Sequence, residues 1–429
     1  MKILVVGSGG REHAIIWKLS RDSVKHELYC APGNAGTTGL STTLDIAAED
    51  INGLLKWAQA NRPDLTVVGP EVPLCEGLTD LFQAAGLKVF GPSKAAAQIE
   101  GSKIFSKDVM VKGGVPTAFS EKFDDADTAI MYIKGKGGPV VIKADGLAAG
   151  KGVYVCADEK SALNAIDDIF VKKVFGSAGT RAIIEECLIG QEASILALVD
   201  GRNVVMLSSA QDHKRVFNND EGPNTGGMGA YSPAPIVTDS LWPFIREEVF
   251  ERTLAELRRR GIEYKGVLYA GLMLTEKGPM VLEFNCRFGD PETQVILPRL
   301  DCDLAPVLMA CVDGVLRDEM VKWRKDVCVT VVMASGGYPD KYEKGKVITG
   351  LAEAGKLQDV IVFHAGTGLC NGNVVTSGGR VLGVTALGAD HASARSKAYK
   401  ALTYIAYDQA QYRSDIANRA IKFGREMSR

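Results

Sequence analysis

The chain has 429 residues, of which 46% are hydrophobic and 24% charged, and its formal net charge is −2. That length has room for about three domains, and the near-neutral balance excludes the basic excess with which proteins hold nucleic acid or an anionic membrane. Nine scattered cysteines without a C-x-x-C pair argue against a disulfide framework and against a zinc site.

The opening "KILVVGSGGREHAIIWKL" reads as strand, glycine turn and amphipathic helix. A strand that begins at Ile3 leaves no room for a secretory leader, and no later run approaches membrane-spanning length, so the expected compartment is the cytoplasm. "HELYCAPGN", "LTVVGPE" and "LKVFGPS" repeat the strand-then-turn unit, which predicts an open parallel α/β domain over residues 1–112. Gly7, Gly9 and Gly10 stand where a dinucleotide fingerprint starts, but Glu12 takes the place of its third glycine and no acidic residue closes the second strand. A glycine turn before a helix N-terminus still suits a phosphate. The plainer reading is that these glycines serve only the tight turn.

From Gly113 the pattern changes to a compact unit over 113–190. "GPVVIKA" and "GVYVCA" are short apolar strands that flank a loop with the lysine and glycines of a phosphate loop but not its spacing: three residues, not four, separate Gly146 from Gly150, and Gly152 follows Lys151. The loop therefore reads as a hairpin tip, either a phosphate-binding one or a plain surface turn. "RAIIEECLIGQEASILALV" is strand, short link, strand, and the polar link reads as a hinge. Over 191–327 come "GPNTGGMGAYSP", too rich in glycine and proline for regular structure, a helix through "LWPFIREEVFERTLAELRRRG", and the strands of "GVLYAGLMLTEKGPMVLEFNCRF". The strands "VCVTVVMA", "VIVFHAG" and "RVLGVTALG" and the helix "ASARSKAYKALTYIAYDQA" make a last α+β piece, 328–429.

Strand alternation in "MVLEFNCRF" puts Glu283 and Asn285 on one face, a spacing that suits a hard cation such as Mg²⁺ and is also common on solvated strands. Arg287, Asp290 and Glu292 crowd the turn that follows, as they would at a site. The glycines around Asn224 and Thr225 allow backbone to approach a ligand closely, or build a structural loop. "QDHKR", with Asp212, His213, Lys214 and Arg215, reads on charge alone as a solvated turn.

Taken in order, "VVGSGGREHA", "PGNAGT", "GPSKAAAQIEGSK", "VIKADGLAAGKGV", "EECLIGQEAS", "QDHKR", "GPNTGGMGAYSP", "LEFNCRFGDPETQ" and "ASGGYP" resemble the ATP-grasp superfamily and, within it, the phosphoribosylamine–glycine ligase family. The resemblance covers nearly the whole chain. It implies a multidomain α/β and α+β fold: an ATP-grasp core behind an N-terminal parallel domain, with a small mobile lid domain and a C-terminal α+β domain. It implies ATP as co-substrate, Mg²⁺ or Mn²⁺ as metal, and glycine and 5-phosphoribosylamine as the other substrates; the sequence itself does not fix the oligomeric state, for which a monomer is the working expectation.

For the site, the resemblance implies that Lys103, Lys143, Gly150, Lys151 and Gly152 surround the ATP phosphates and that Glu185, Glu186 and Leu188 line the adenine hinge. Glu192 would take the ribose, and Glu283 and Asn285 the metal. Gly9, Gly10, Arg11, Glu12, Asp212, Lys214, Arg215, Asn224, Thr225, Gly226, Gly227, Arg287, Asp290, Pro291 and Glu292 would contact the other substrates, with Lys143 and Arg287 catalytic. Ala270 and Leu272 stand where many such ligases carry charges, which makes Arg287 the candidate transition-state arginine. Another ATP-grasp carboxylate–amine ligase would share lid, hinge and metal pair; an NAD-dependent oxidoreductase would explain only the first turn.

Overall fold

A computed structural model describes residues 1–147 and 152–427. The chain opens with β1 (Lys2–Gly7), α1 (Gly10–Leu19), β2 (Glu27–Pro32), β3 (Thr42–Thr43), α2 (Ile51–Asn61), β4 (Leu65–Val68), α3 (Glu71–Glu76), α4 (Leu78–Ala84) and β5 (Val89–Phe90). The strands form one parallel sheet in the order β3-β2-β1-β4-β5. Ile3, Leu4, Val5 and Val6 of β1 are all fully buried, as expected for a central strand covered on both faces. The strand order reverses between β1 and β4, so the crevice at their C-terminal ends is where such sheets take ligands.

Two helices, α5 (Lys94–Gly101) and α6 (Lys103–Gly113), lead out of this domain. Ser102 separates them and caps α6, its Oγ accepting from the Phe105 N–H at 3.1 Å. Next come β6 (Ser120–Phe123), α7 (Ala126–Lys136), β7 (Val140–Ala144), β8 (Val153–Cys156), α8 (Glu159–Ile166) and β9 (Ala182–Glu186). They form an antiparallel sheet, β6-β9-β7-β8, with its own core of residues such as Ile133, Ile142, Ala162 and Ile184. The hairpin reading holds, since β7 and β8 pair from Val140↔Cys156 to Lys143↔Val153.

β10 (Gln191–Asp200), β11 (Val204–Met206), β12 (Gln211–Asp212), β13 (Arg215–Phe217), β14 (Glu221–Asn224) and β15 (Gly229–Ser232) follow. The glycine-rich segment is thus two strand ends around a short turn rather than irregular throughout. Gly222 at φ +78° and Gly227 at φ +109° adopt conformations a side chain would strain, and β14 pairs with β13 in a narrow two-stranded ribbon. The long helix is present as α9 (Trp242–Phe244), a wide-turn stretch Ile245–Glu251 and α10 (Arg252–Arg259). β16 (Lys265–Thr275) and β17 (Gly278–Asn285) complete the sheet β11-β10-β16-β17, before the short helices α11 (Thr293–Ile296) and α12 (Leu304–Asp313).

The last segment holds β18 (Val327–Ala334), α13 (Leu351–Gly355), β19 (Val360–His364), β20 (Thr367–Cys370), β21 (Asn373–Thr376), β22 (Arg380–Gly388), α14 (His391–Leu402) and α15 (Asn418–Met427). Its sheet, β12-β15-β18-β22-β19, borrows β12 and β15 from the preceding segment. α14 ends at Leu402, short of the helix expected through Ala410, because Ala406 exchanges backbone hydrogen bonds with Thr349 at 2.9 and 3.2 Å. Among the described residues all nine cysteines are free thiols, and no helix is long and apolar enough to cross a membrane.

Candidate active site

Glu283 and Asn285 sit near the end of β17, across the ladder from Gly271 and Tyr269 of β16, and Gly271 in turn faces Ser194 of β10. These residues share one face of the sheet, as the alternation predicted. Ala270 and Leu272 are fully buried on the opposite face, away from the pair, whereas Tyr269 and Gly271 share its face. Among the described residues the Asn285 side chain has no hydrogen-bond partner, and no cluster of three or more His, Cys, Asp or Glu could hold a metal. A carboxylate and an unclaimed amide oxygen on one strand are the hard-oxygen donors a divalent cation shared with phosphates would take.

Lysines converge on this pair. Lys143 of β7 bridges to β17, its Nζ donating to the Leu282 carbonyl at 2.8 Å and lying 2.8 Å from Glu185 Oε2. Lys103, at the start of α6, donates to the Gly146 carbonyl at 2.9 Å. Lys214 lies 2.9 Å from Glu192 Oε2 and 3.8 Å from Glu283 Oε1. Burial pushes the Glu283 carboxyl upward, but Lys214, Lys143 and Lys103 outweigh it and hold the group below its ordinary range.

Glu185 faces inward from β9, between the buried Lys143 and Lys107, the latter 2.8 Å from Oε1. Its backbone pairs with Ser120 and Val141 on either side, and the Glu186 carboxylate accepts from the Phe119 N–H at 2.9 Å. The hinge backbone outside the ladder accordingly begins after Glu186, and the Leu188 N–H has no partner among the described residues. Gly152 lies in the hairpin neck, its carbonyl accepting from Ala144 N–H at 2.9 Å, whereas Gly150 and Lys151 lie outside the described residues. Asp145 fixes the base of that hairpin: it accepts from Ser102 Oγ at 2.9 Å and Ile104 N–H at 3.1 Å and pairs with Arg181 at 2.6 Å.

Beside the lysines is an acidic recess. Asp212 and His213 are 8% and 1% exposed, so "QDHKR" is not a solvated turn; pairing of β12 with β15 draws it inward. Burial, with Glu292, Glu192 and Glu283 close by, pushes the Asp212 carboxyl up to about 7 against the pull of Lys214. Its side chain has no hydrogen-bond partner among the described residues. Glu292 is fixed by Tyr269 OH at 2.8 Å and Ser194 Oγ at 3.1 Å. Two buried carboxylates, one without a partner, make a recess for a cationic group.

The remaining residues divide by what they hold. The Arg287 guanidinium lies between Glu71 and Glu100, at 3.2 and 2.8 Å, and ties the sheet edge to α3 and α5. Arg215 donates to the Gly222 carbonyl at 2.6 Å on the β13–β14 ribbon, away from the recess. Thr225 turns its hydroxyl onto the Lys214 carbonyl at 2.8 Å, and Asn224 ends β14 beside it. At the first turn Gly9 N–H donates to Glu12 at 2.5 Å and Arg11 N–H to Asp290 at 3.3 Å. Glu12 fills the crevice between β1 and β4, where a Cβ on Gly7 would come within 2.6 Å of it. A dinucleotide pyrophosphate has no room there, and two N–H groups of that turn already serve carboxylates. Sequence reasoning missed Arg181, Ser194 and Tyr269; only the register across β10, β16 and β17 brings the last two to the site.

A small antiparallel sheet meeting a larger one over a lysine-lined cleft, with an acidic and an amide side chain at the larger sheet's edge, defines an ATP-grasp enzyme, a class that uses ATP and a divalent metal. Residues 1–100 match the family described as phosphoribosylglycinamide synthetase, N domain; 101–293 match its ATP-grasp (A) domain and 328–419 its C domain. The chain belongs to the phosphoribosylglycinamide synthetase family. It is 51% identical to the phosphoribosylamine–glycine ligase of Nostoc sp. over 98% of this chain and 99% of that one, and 49% identical to that of Yersinia pestis over 99% and 100%. The crystal structure of the Thermotoga maritima phosphoribosylamine–glycine ligase superposes with a TM-score of 0.85 at 35% identity, covering 97% of this chain and 100% of that one. A biotin carboxylase domain from Hydrogenobacter thermophilus, in complex with MgADP and bicarbonate, shares the fold with a TM-score of 0.72 at 17% identity over 96% and 91%.

Proposed function

We propose that the chain ligates glycine to 5-phosphoribosylamine at the expense of ATP, giving glycinamide ribonucleotide, ADP and phosphate. The observation that carries this reading is the juxtaposition of the lysine-ringed Glu283–Asn285 pair with the acidic Asp212–Glu292 recess. The first suits a polyphosphate. The second suits the ammonium of an amino acid whose carboxylate then points at the γ-phosphoryl group.

A carboxylate is a poor acyl donor because oxide would have to leave. One oxygen of glycine attacks the γ-phosphorus and ADP departs, leaving glycyl phosphate. The phosphoribosylamine nitrogen then attacks the acyl carbon, loses a proton, and phosphate leaves with the former carboxylate oxygen. The protein's work is positioning and charge balance. Lys103 and Lys143 hold phosphate oxygens, the hinge at Leu188 offers its N–H to adenine, and Glu192 faces the ribose. Mg²⁺ bound by Glu283 and Asn285 would neutralise phosphate charge. Asp212 and Glu292 orient the glycine ammonium, and the amine substrate lies on the far side of the 290–291 turn, towards Gly9, Gly10, Arg11 and Gly226. Arg287, held by Glu71 and Glu100, is the guanidinium proposed to meet the reacting phosphoryl group. ADP release that requires both glycine and phosphoribosylamine generated in the assay, with glycinamide ribonucleotide identified by mass, tests the reading. ADP release indifferent to glycine would refute it.

A further inference from the structure

Arg380 opens β22 in the C-terminal segment, and its guanidinium lies over the turn that follows the metal pair. Nη1 donates to the carbonyls of Gly226 at 2.5 Å, Asp290 at 2.8 Å and Gly227 at 3.3 Å, and Nη2 lies 3.3 Å from Asp290 Oδ1. Tyr338, from the same segment, accepts the Gly226 N–H on its hydroxyl at 3.1 Å. The contacts leave no slack. A Cβ on Gly226 would come 3.0 Å from Arg380 Cζ, and one on Gly227 2.5 Å from Pro291 Cδ. The Asp290 carboxylate also receives Gln294 Nε2 at 2.8 Å and, from the first turn of the chain, Arg11 N–H at 3.3 Å.

The middle of each joined segment lies outside any strand, since 225–228 is the turn between β14 and β15, tied by backbone bonds at Thr225 and Met228, and 286–292 lies between β17 and α11. A planar guanidinium with donors in a fixed fork sets the spacing of two backbone segments in a way that a flexible ammonium does not. The substrate concerned follows from where the clamp faces. Asp290 bonds to the N-terminal turn and to Arg380, whereas Glu292, two residues on, bonds to Ser194 and Tyr269 in the ammonium recess. The clamp thus joins three stretches of chain on the side of the 290–292 turn away from the ammonium recess, the side to which the proposed function assigns the phosphate-bearing amine.

We infer that Arg380 is a positioning residue for the phosphoribosylamine site, holding the 226–227 and 290–291 turns at the separation that substrate needs, with Tyr338 as its second support. This rests on the proposed function. The test compares steady-state constants of the full chain with those of Arg380→Ala, Arg380→Lys and Tyr338→Phe. Arg380→Ala is expected to raise KM for phosphoribosylamine by about tenfold or more, and Tyr338→Phe by about threefold, while KM for ATP stays within about twofold and Tm within a few degrees. Lysine should restore part of the loss, because a point charge replaces some of the bonds but not the fork. Parallel rises in the ATP and phosphoribosylamine constants, or a fall in Tm with KM unchanged, would overturn the inference. Should Arg380→Ala not fold, unchanged phosphoribosylamine constants in both Arg380→Lys and Tyr338→Phe would overturn it equally. A wild-type chain that makes no product would instead refute the function it rests on.

Discussion

Glu283 stands directly across the β16–β17 ladder from Gly271, where even a methyl group would come 3.3 Å from its Cγ. The bare glycine leaves the carboxylate its place among Lys103, Lys143 and Lys214. Glu283→Gln should keep the fold and lower turnover by on the order of 10²–10³, because charge neutralisation is a large part of phosphoryl transfer. Gly271→Ala should lower it by about tenfold through displacement of that side chain. Steady-state rates at saturating metal, with melting temperature as the control, decide; near-wild-type turnover of Glu283→Gln would remove Glu283 from the metal site.

Glu185 and Glu192 were both expected to contact the nucleotide, and their surroundings separate them. Glu185 is 2% exposed between two buried lysines, so Glu185→Ala leaves two unpaired buried charges and should destabilise the protein by about 3–5 kcal/mol. The Glu192 side chain is 38% exposed, so Glu192→Ala should change stability by less than about 1 kcal/mol and raise KM for ATP instead. Urea unfolding of both variants measures the contrast, and equal losses of stability would contradict it.

Acid should weaken the fold through its buried histidines. Burial first, then the neighbouring His364, holds His13 to about 3; burial holds His364 to about 4 and, with Arg419 and Arg413, His213 to about 3. In the unfolded chain each titrates near ~6.5. Between those values the unfolded state binds more protons, so stability is fully present above pH ~6.5 and falls as pH drops towards 4, by at most ~1.4 kcal/mol per pH unit for each histidine. His13→Gln, which keeps an acceptor for the His364 N–H now 2.8 Å away, should make that slope shallower. Unfolding midpoints at pH 5, 6 and 7 test it, and an unchanged slope would count against His13.

At the N-terminal turn a side chain on Gly9 would come 2.9 Å from Glu12 Oε2 and 3.4 Å from Asp290 Oδ2. Gly9→Val should therefore displace the Asp290 turn and raise KM for phosphoribosylamine while leaving that for ATP nearly unchanged. Equal changes in both constants would place this turn in the nucleotide site.

Local pattern made the strands legible, and with them the facing of Glu283 and Asn285, because strand period and apolar runs are short-range properties. The helix expected through Ala410 fell short because a distant partner, Thr349, claims the Ala406 backbone. Long-range pairing likewise drew Asp212 into the interior, although charge alone placed it in solvent. Ser194 and Tyr269 carry no motif; only cross-strand register gives them a role. Arg287 is marked as a candidate by its place beside the metal pair, whereas the carboxylates that hold it lie 187 and 216 residues earlier in the chain. Charge partners so far apart in sequence are visible only once the chain has folded.

The central claim is that a carboxylate of glycine is activated by phosphoryl transfer at the Glu283–Asn285 pole before the amine attacks. Glycine labelled with ¹⁸O in both carboxylate oxygens, turned over with ATP and phosphoribosylamine, tests it most directly through the mass of the inorganic phosphate released. The account predicts one ¹⁸O in each phosphate and one retained in the amide product. Phosphate free of label, alongside normal product formation, would contradict it.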